Sequence, residues 1–381
     1  MKKKLLLGAA LLTLIGPALL GGCASSSESS SDVSSDNTTE SSSSDSDNSA
    51  EVSEILTADE TQIQKMSEVF EDETEAGDFL TSPKTAVGMT ELPDDYLNDE
   101  HKNHATEQGT LEEVQYDRVL TLSDGSTLTS TAVVYLPYGY DESKQYDVLY
   151  LMHGMGGTQY TFLGNKVMEG GIKVILDNMI EDGIIRPIIV VAPGLEDSGD
   201  VDLDNEVIME LNDSIIQNLM PIVEEKYSTY AESGSEEDLI ASRDHRCYGG
   251  FSMGGCSSWQ MLWHYTEYFK YYIPNSMIAD FRLDADVEGT TEEMAEEIRS
   301  KGYTSKDFFI YCGVGSHDYT NIMVTKQIGA LNDYPDLFVN TEYEGFDNGN
   351  LMYRIWSGRY HRFYESFPYF YNALELFFPA E

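Results

Sequence analysis

A serine flanked by glycines, in the stretch Gly250-Phe251-Ser252-Met253-Gly254, restricts the fold more than any other feature of this chain. A strand-like segment, 243–250, runs into it, and the segment 253–269 that follows has the pattern of a helix. Side chains in place of the two glycines would collide where a strand turns sharply into a helix. The stretch therefore predicts a strand–turn–helix unit with Ser252 at the turn, beside the positive end of the helix dipole. A flexible glycine loop is the alternative that these five residues leave open.

The rest of the chain alternates between strand and helix patterns. Two continuous apolar runs, 146–154 and 186–194, suit strands buried on both faces of a mostly parallel sheet. Further strand patterns lie at 111–121, 130–137, 307–318 and 351–358. This alternation predicts an α/β domain over residues 91–381, with a mostly parallel central sheet and helices on both of its faces.

Two helix patterns between these strands have defined faces or ends. Residues 210–227 are predicted to form one amphipathic helix, whose single apolar face consists of Leu211, Ile215, Leu219, Ile222 and Val223. A second helix is predicted over 290–302, where Thr290 and Glu293 form a capping box and Gly302 marks the end.

The N-terminus has the organisation of an export signal. A basic start, MKKK, precedes an apolar stretch that ends in Leu20-Gly21-Gly22-Cys23, which resembles a bacterial lipobox. We expect residues 1–22 to be a lipoprotein signal peptide and Cys23 to be lipidated, which would place the protein on the extracellular face of the bacterial cell membrane. An ordinary signal peptide with a chance cysteine is the alternative. A membrane-spanning anchor is disfavoured because Gly16-Pro17 interrupts a short span.

Composition defines the next two segments and excludes one class of partner. Residues 23–53 are almost entirely Ser, Asp, Glu, Thr and Asn after the cysteine, which predicts a disordered tether. Residues 54–90 form an acidic lead-in of unknown role. The net charge of −44 disfavours nucleic-acid binding, because so acidic a surface repels phosphate.

Three cysteines remain beyond Cys23, namely Cys247, Cys256 and Cys312. Three thiols cannot all pair within one chain, and no C-x-x-C or histidine-rich spacing indicates a zinc site. Buried free thiols are the favoured interpretation, and a bridge between Cys247 and Cys256 stays open.

A serine hydroxyl is a weak nucleophile until a base takes its proton. Three of the seven histidines, His264, His317 and His361, follow Ser252, as the order of a strand–turn–helix nucleophile requires. His264 lies within the helix that starts at the serine, and His317 adjoins the best acid candidate. We therefore assign the base role to His361, after the last predicted strand. Capping of the final helix is its alternative role.

The acid that orients this base is expected after an earlier strand. Asp318 ends the strand pattern 307–318 and would accept the imidazole N–H. Its alternative role is a helix cap near Thr320. The competing acids are Asp280, Asp284 and Asp286.

An ester's tetrahedral intermediate carries an oxyanion that needs two hydrogen-bond donors. The backbone N–H of Met253, directly after the serine, is predicted to be one of them. Glycines in the segment 153–157 let N–H groups turn inward, and the backbone of Met155 is predicted to be the second donor. A plain glycine turn is the alternative for that segment.

These motifs resemble the feruloyl esterase domains attached to bacterial xylanases, within the wider esterase D and acetylxylan esterase group. The likeness covers roughly residues 90–381, and the segments that carry it are 133–157, 243–259 and 356–378. It implies an α/β-hydrolase fold and neither a metal nor an organic cofactor. It also implies the same catalytic residues and oxyanion donors: Ser252, Asp318 and His361, with the backbones of Met155 and Met253.

The chain departs from the family pattern around the base, where Tyr360 precedes His361 and Arg362-Phe363 follow it, and again in the segment 275–281. These loops line the family's substrate pocket, so the resemblance determines the catalytic residues better than the substrate. The candidates to border a phenolic ring are Tyr160, Trp259 and Met277, for which simple packing is an equally open role.

The sequence thus predicts a secreted, lipid-anchored serine esterase that forms an acyl-Ser252 intermediate. The expected substrates are feruloyl or acetyl esters on plant cell-wall polysaccharide such as xylan. Two alternatives remain: an esterase or acyltransferase of the same fold acting on other small esters, and a non-catalytic carbohydrate-binding lipoprotein.

Overall fold

A computed structural model describes residues 89–92, 104–119, 125–195, 204–282, 284–341 and 345–380. The predicted signal peptide, Cys23 and the tether lie outside the described residues, as does all of the lead-in except its last two residues. Those two residues begin a strand, so the sheet starts at Met89, slightly before the boundary predicted at 91.

The described residues contain one nine-stranded sheet. Its strands are β1 (Met89–Leu92), β2 (Thr110–Val119), β3 (Thr127–Leu136), β4 (Asp147–Met152), β5 (Ile188–Pro193), β6 (Arg246–Phe251), β7 (Tyr271–Asn275), β8 (Phe309–Gly315) and β9 (Leu351–Trp356). They lie in the order β1-β9-β8-β7-β6-β4-β5-β3-β2. Strand β3 pairs antiparallel with β2 and β5, and every other pairing is parallel. The prediction of a mostly parallel sheet is confirmed.

The helices of the described residues are α1 (Gly171–Glu181), α2 (Asn205–Ser214), α3 (Met220–Lys226), α4 (Glu236–Ala241), α5 (Met253–His264), α6 (Val287–Ser300), α7 (Asn321–Leu331) and α8 (Phe367–Phe377). A π-helical turn, Ile215–Leu219, joins α2 to α3, and short 3-10 helices occupy Arg243–His245 and Phe363–Ser366. None of these helices is both long and apolar enough to cross a membrane.

Two apolar cores, one on each face of the sheet, explain why the central strands are continuous apolar runs. All six residues of β4 are buried. Leu149 belongs to the core that α1 and α8 cover, whereas Tyr150 belongs to the core that α2, α5, α6 and α7 cover. Alternate side chains of a strand point to opposite faces, so a strand with helices on both sides has no exposed position. The prediction of helices on both faces is confirmed.

The segment predicted as one helix over 210–227 is divided by the π-turn. Pro221 has no backbone N–H to donate to a residue four positions earlier, and a π-turn is one way for a helix to accommodate such a gap. The turn rotates the later residues relative to the earlier ones. As a result Ile222 is 40% exposed and is absent from the predicted apolar face, while Val223 is fully buried.

The three cysteines in the described residues, Cys247, Cys256 and Cys312, are free and buried. The possible Cys247–Cys256 bridge is therefore not formed. Burial raises the pKa of all three thiols, which keeps them protonated and unreactive.

Candidate active site

Ser252 occupies the turn between β6 and α5 with a positive φ of 58° and a ψ of −119°. Such a backbone conformation is strained for any residue except glycine, and strained residues often belong to functional sites. The Ser252 N–H donates to the carbonyl of Asn275, at the end of β7, over 3.0 Å. This bond ties the turn to the neighbouring strand and holds the serine side chain at the carboxyl edge of the sheet.

The glycines around Ser252 are required by close backbone contacts. A Cβ atom on Gly250 would lie 2.4 Å from the carbonyl of Gly254, and one on Gly254 would lie 2.1 Å from the carbonyl oxygen of Met152. Both separations are far below any real Cβ contact, so a larger residue would force α5 away from the sheet. The predicted strand–turn–helix unit is confirmed, and the flexible-loop alternative is excluded.

The side chains of Ser252, His361 and Asp318 form a continuous chain of hydrogen bonds. His361 Nε2 lies 2.9 Å from Ser252 Oγ, and His361 Nδ1 lies 2.9 and 3.0 Å from the two carboxylate oxygens of Asp318. All three residues are buried, with the serine 8% exposed. The tautomer that satisfies both contacts carries its proton on Nδ1, which donates to Asp318. Nε2 is then free to accept the serine proton.

Asp318 makes the contacts that both of its suggested roles require. Besides accepting from His361, its Oδ1 accepts from the backbone N–H and the hydroxyl of Thr320, at 2.8 and 2.6 Å. The local turn and the bond to the imidazole are therefore compatible, because a carboxylate can accept several hydrogen bonds. The threonine contacts leave the carboxylate one orientation, which faces His361.

The loop that carries His361 is tied down by several contacts. The imidazole ring of His361 packs against the rings of Phe251 and Tyr319, whose centroids are 4.7 and 4.3 Å away. The buried carboxylate of Glu365 accepts the backbone N–H of Tyr360, next to the histidine, and burial raises the pKa of Glu365. Sequence reasoning missed Glu365, since nothing in the pattern of that segment distinguishes it from a surface acid.

The alternative histidines lie elsewhere. His317 stacks on the ring of Tyr360, with centroids 5.1 Å apart, and His264 Nδ1 lies 3.0 Å from Glu297. Neither reaches Ser252 in the hydrogen bonds of the described residues.

The competing acids also have other contacts or positions. Asp280 pairs with Arg282 and accepts from the side chain of Asn205, Asp286 caps α6, and Asp284 is exposed.

The segments that carry the two predicted oxyanion donors both adjoin the serine. Gly157 N–H donates to the Gly154 carbonyl over 3.0 Å, which makes 154–157 a tight turn with Met155 in it. A Cβ on Gly154 would be 3.4 Å from Ser252 Cβ, so this turn packs directly against the serine. Met253 is the first residue of α5, where N–H groups have no acceptor within the helix. The arrangement suits stabilisation of negative charge beside Ser252.

A cavity of about 260 Å³ opens beside this turn. One wall begins at Gly156, the residue after Met155, and the other begins at Phe363, two residues after His361. The lining is mostly apolar, and its large side chains are Tyr160, Met168, Phe363, Tyr364 and Phe367. It therefore has the chemistry to hold a ring beside the turn that packs against Ser252, although Ser252 itself is not among the lining residues.

Of the three residues predicted to border a ring, only Tyr160 lines this cavity. Trp259 and Met277 are buried in the core beneath α5, and the Trp259 indole N–H donates to the Met277 carbonyl over 3.0 Å. Neither residue lines the cavity, so the assignment of Trp259 and Met277 to the border of a ring in this cavity is corrected. The lining residues Phe363 and Phe367, which the sequence analysis did not select, lie in an aromatic run directly after the base.

Comparison with known proteins identifies the family of this chain. The family model described as "Putative esterase" matches residues 128–375, which is more than half of the chain. The chain belongs to this esterase family. The match spans the segments that hold Ser252, Asp318 and His361, and the prediction of a carboxylic ester hydrolase is confirmed at the level of the family.

The relatives agree with the predicted resemblance. Endo-1,4-beta-xylanase Y of Acetivibrio thermocellus is 32% identical over 295 residues, which is 77% of this chain and 25% of that protein. An endo-1,4-beta-xylanase/feruloyl esterase of Xylanibacter ruminicola is 31% identical over 157 residues, or 39% of this chain and 20% of that protein. The chain thus spans about a quarter or less of the length of these relatives.

Solved structures support the fold. The feruloyl esterase module from Clostridium thermocellum, solved with sinapinate, has a TM-score of 0.65 and 31% identity, covering 76% of this chain and 94% of the module. A ferulic acid esterase from Anaeromyces mucronatus, at 18% identity and a TM-score of 0.53, covers 74% of this chain and 96% of that chain, and shares the fold. The likeness to feruloyl esterases and the predicted α/β-hydrolase fold are confirmed.

Within the described ranges, no group of three or more His, Cys, Asp and Glu side chains is placed to hold a metal ion.

Proposed function

We propose that this protein is a serine esterase that hydrolyses carboxylic esters through Ser252, His361 and Asp318. The observation that carries the proposal is the unbroken hydrogen-bond chain from Ser252 Oγ through the imidazole to the Asp318 carboxylate. A strained serine backbone at a helix N-terminus and a packed glycine turn beside it support the same chemistry.

The steps follow from the geometry. His361 Nε2 takes the Ser252 proton as Oγ attacks the ester carbonyl, and the N–H groups of Met155 and Met253 stabilise the oxyanion. Collapse of the intermediate breaks the bond to the alkoxy group, which leaves with the proton from His361. A water molecule, deprotonated by His361, then attacks the acyl-Ser252 ester and releases the acid.

We further propose that the acyl group is aromatic, of the feruloyl class, and is attached to xylan. Two relatives are named as xylanases, one of them also as a feruloyl esterase, and the structural relative was solved with sinapinate, an aromatic acid. The mostly apolar cavity beside the 154–157 turn suits an aromatic ring better than an acetyl group, because burial of apolar surface favours binding.

A comparison of feruloylated and acetylated xylo-oligosaccharides tests this substrate assignment. We expect kcat/KM to be at least about tenfold higher for the feruloylated substrate, since each aromatic carbon that leaves water adds binding energy. Acids released by purified protein would be quantified by chromatography. An equal or greater rate on the acetylated substrate would contradict the feruloyl assignment and favour an acetylxylan esterase.

We also propose that the mature protein is anchored through a lipid on Cys23 at the extracellular face of the bacterial membrane. The lipobox-like residues support this, and so does the composition of 24–53, a polar acidic tether that would let the domain reach an insoluble polymer. The acyl chains would also keep so acidic a protein at a membrane whose anionic headgroups repel it, since the full chain has a net charge of −44.

Replacement of Cys23 by serine is expected to move the protein from the membrane fraction of the expressing bacterium to the soluble fraction and to abolish incorporation of labelled palmitate. Ser27→Ala, in the same segment, is the matched control and is expected to stay in the membrane fraction. Retention of the Cys23→Ser variant in membranes would contradict the lipid anchor.

A further inference from the structure

The cavity beside the 154–157 turn has one charged residue among its lining side chains. Within the described part of the chain these are mostly glycines, aromatic residues and Met168, and Glu169 alone carries a charge. The Glu169 side chain is 26% exposed, so its carboxylate can keep its charge and still accept a hydrogen bond from a ligand in the cavity.

Glu169 is held by a buried lysine behind it. Lys173 Nζ donates to Glu169 Oε1 over 2.6 Å, and the lysine itself is only 3% exposed. The same ammonium donates to Asp177 over 2.7 Å. Asp177 in turn accepts from the hydroxyl of Tyr135 and the backbone N–H of Gly109, both at 2.8 Å. The two carboxylates hold the Lys173 ammonium in place, and the ammonium in turn orients the carboxylate of Glu169.

The second oxygen of this carboxylate faces His104, whose Nδ1 lies 2.6 Å from Oε2. A carboxylate has about four lone-pair positions, so two bonds leave room for a further donor. Lys173 also holds the pKa of Glu169 below its ordinary value, which keeps the group ionised at neutral pH. Glu169 is therefore an anionic acceptor with no proton of its own to donate.

The surroundings of this acceptor restrict its partner. A sugar ring would need several polar contacts, but the side-chain oxygens of Thr158, Thr161 and Asn165 in the lining already accept backbone N–H groups. An anionic ligand would be repelled by the carboxylate. An aromatic ring with a hydroxyl at its far edge fits both features, since its faces contact apolar walls and its O–H donates to the carboxylate. Charge-assisted bonds of this kind are roughly twice as strong as neutral ones.

We propose that Glu169 is a specificity-determining residue that accepts a hydrogen bond from the ring hydroxyl of a hydroxycinnamoyl ester bound in this cavity. The inference rests on the proposed esterase function and adds to it the part of the acyl group that is recognised. Lys173 is a positioning residue for this contact.

Two esters that differ only in the hydroxyl test the proposal with the unaltered protein: methyl 4-hydroxy-3-methoxycinnamate and methyl 3-methoxycinnamate. We expect kcat/KM to be about tenfold or more higher for the hydroxylated ester. An equal rate for both, or a preference for the ester without the hydroxyl, would overturn the assignment of Glu169.

Glu169→Gln separates the carboxylate from other causes of such a preference. The amide keeps the size but loses the charge, so we expect the ratio of the two kcat/KM values to fall about five- to tenfold. Glu237→Gln, at an exposed position on α4 outside the cavity, is the control and should leave the ratio as it is. A ratio unchanged in Glu169→Gln would refute the proposed contact.

Failure of this inference is distinguishable from failure of the proposed function. If neither aromatic ester is hydrolysed while acetylated xylo-oligosaccharide is, the aromatic acyl assignment is wrong and the Glu169 contact falls with it. If both aromatic esters are hydrolysed at one common rate, the feruloyl-type activity stands and only the role of Glu169 is lost.

Discussion

Replacement of Ser252 by alanine is expected to lower kcat by at least about 10³-fold, because no other group can form the acyl intermediate. The Oγ atom removed makes its hydrogen bond to His361, and the tight turn around it depends on glycines and on the backbone bond to Asn275. We therefore expect the variant to fold, which a thermal unfolding curve close to that of the parent protein would show.

Labelling with a fluorophosphonate probe identifies the reacting atom directly. The parent protein should be labelled on Ser252, and Ser252→Ala should remain unlabelled. Ser258→Ala is the control, since this serine lies on the same helix but is buried with its hydroxyl donating to the Tyr248 carbonyl. Labelling or near-full activity of Ser252→Ala would refute the serine-esterase mechanism.

Replacement of His361 by glutamine should have an effect of similar size, at least about 10³-fold in kcat, because the serine then lacks a base. Glutamine roughly keeps the volume between Phe251 and Tyr319, so the loss reports chemistry more than packing. Initial rates on a feruloyl ester, with the free energy of unfolding measured alongside, separate the two contributions.

His317→Gln is the matched control for this experiment. His317 lies one residue before Asp318 and stacks on exposed Tyr360, away from the serine. We expect this variant to keep kcat within about threefold of the parent, as is usual for residues outside the reacting groups. If it loses activity while His361→Gln retains it, the base has been assigned to the wrong histidine.

The geometry that unites the three catalytic candidates could be predicted because the sheet is parallel. Ser252, Asp318 and His361 follow β6, β8 and β9, which lie in the same direction within four neighbouring strands. The carboxyl ends of parallel strands meet at one edge, so residues more than a hundred positions apart converge there. Strand patterns and the order serine, acid, histidine were enough to select them, and their catalytic roles stay predictions.

The residues that line the cavity were less predictable, because the burial of a helical side chain depends on the elements packed around the helix. Helix α5 is buried along every residue from Met253 to Leu262, since the sheet and α2, α6 and β7 surround it. A sequence pattern cannot separate a core tryptophan there from one that faces a cavity, which is why Trp259 was assigned wrongly. The cavity is instead built by the segment 156–171 and by the 3-10 helix and helix start at 363–367.

Local backbone chemistry explains the remaining differences. The predicted capping box at Thr290 does not start α6, which begins at Val287 with Asp286 accepting from the Gly289 N–H. Asp286, four residues before Thr290, caps the helix instead, whereas its sequence context indicates only a competing catalytic acid. The π-turn before Pro221 likewise changed which residues face the core.

The walls of the cavity belong to two segments of the chain, 156–171 and 363–367, and neither contains Ser252, Asp318 or His361. Under the proposed function, bond cleavage and acyl-group selection are encoded in separate stretches of sequence. Replacing these two segments with the corresponding segments of another family member offers a way to change the ester that is selected while the reacting groups stay the same.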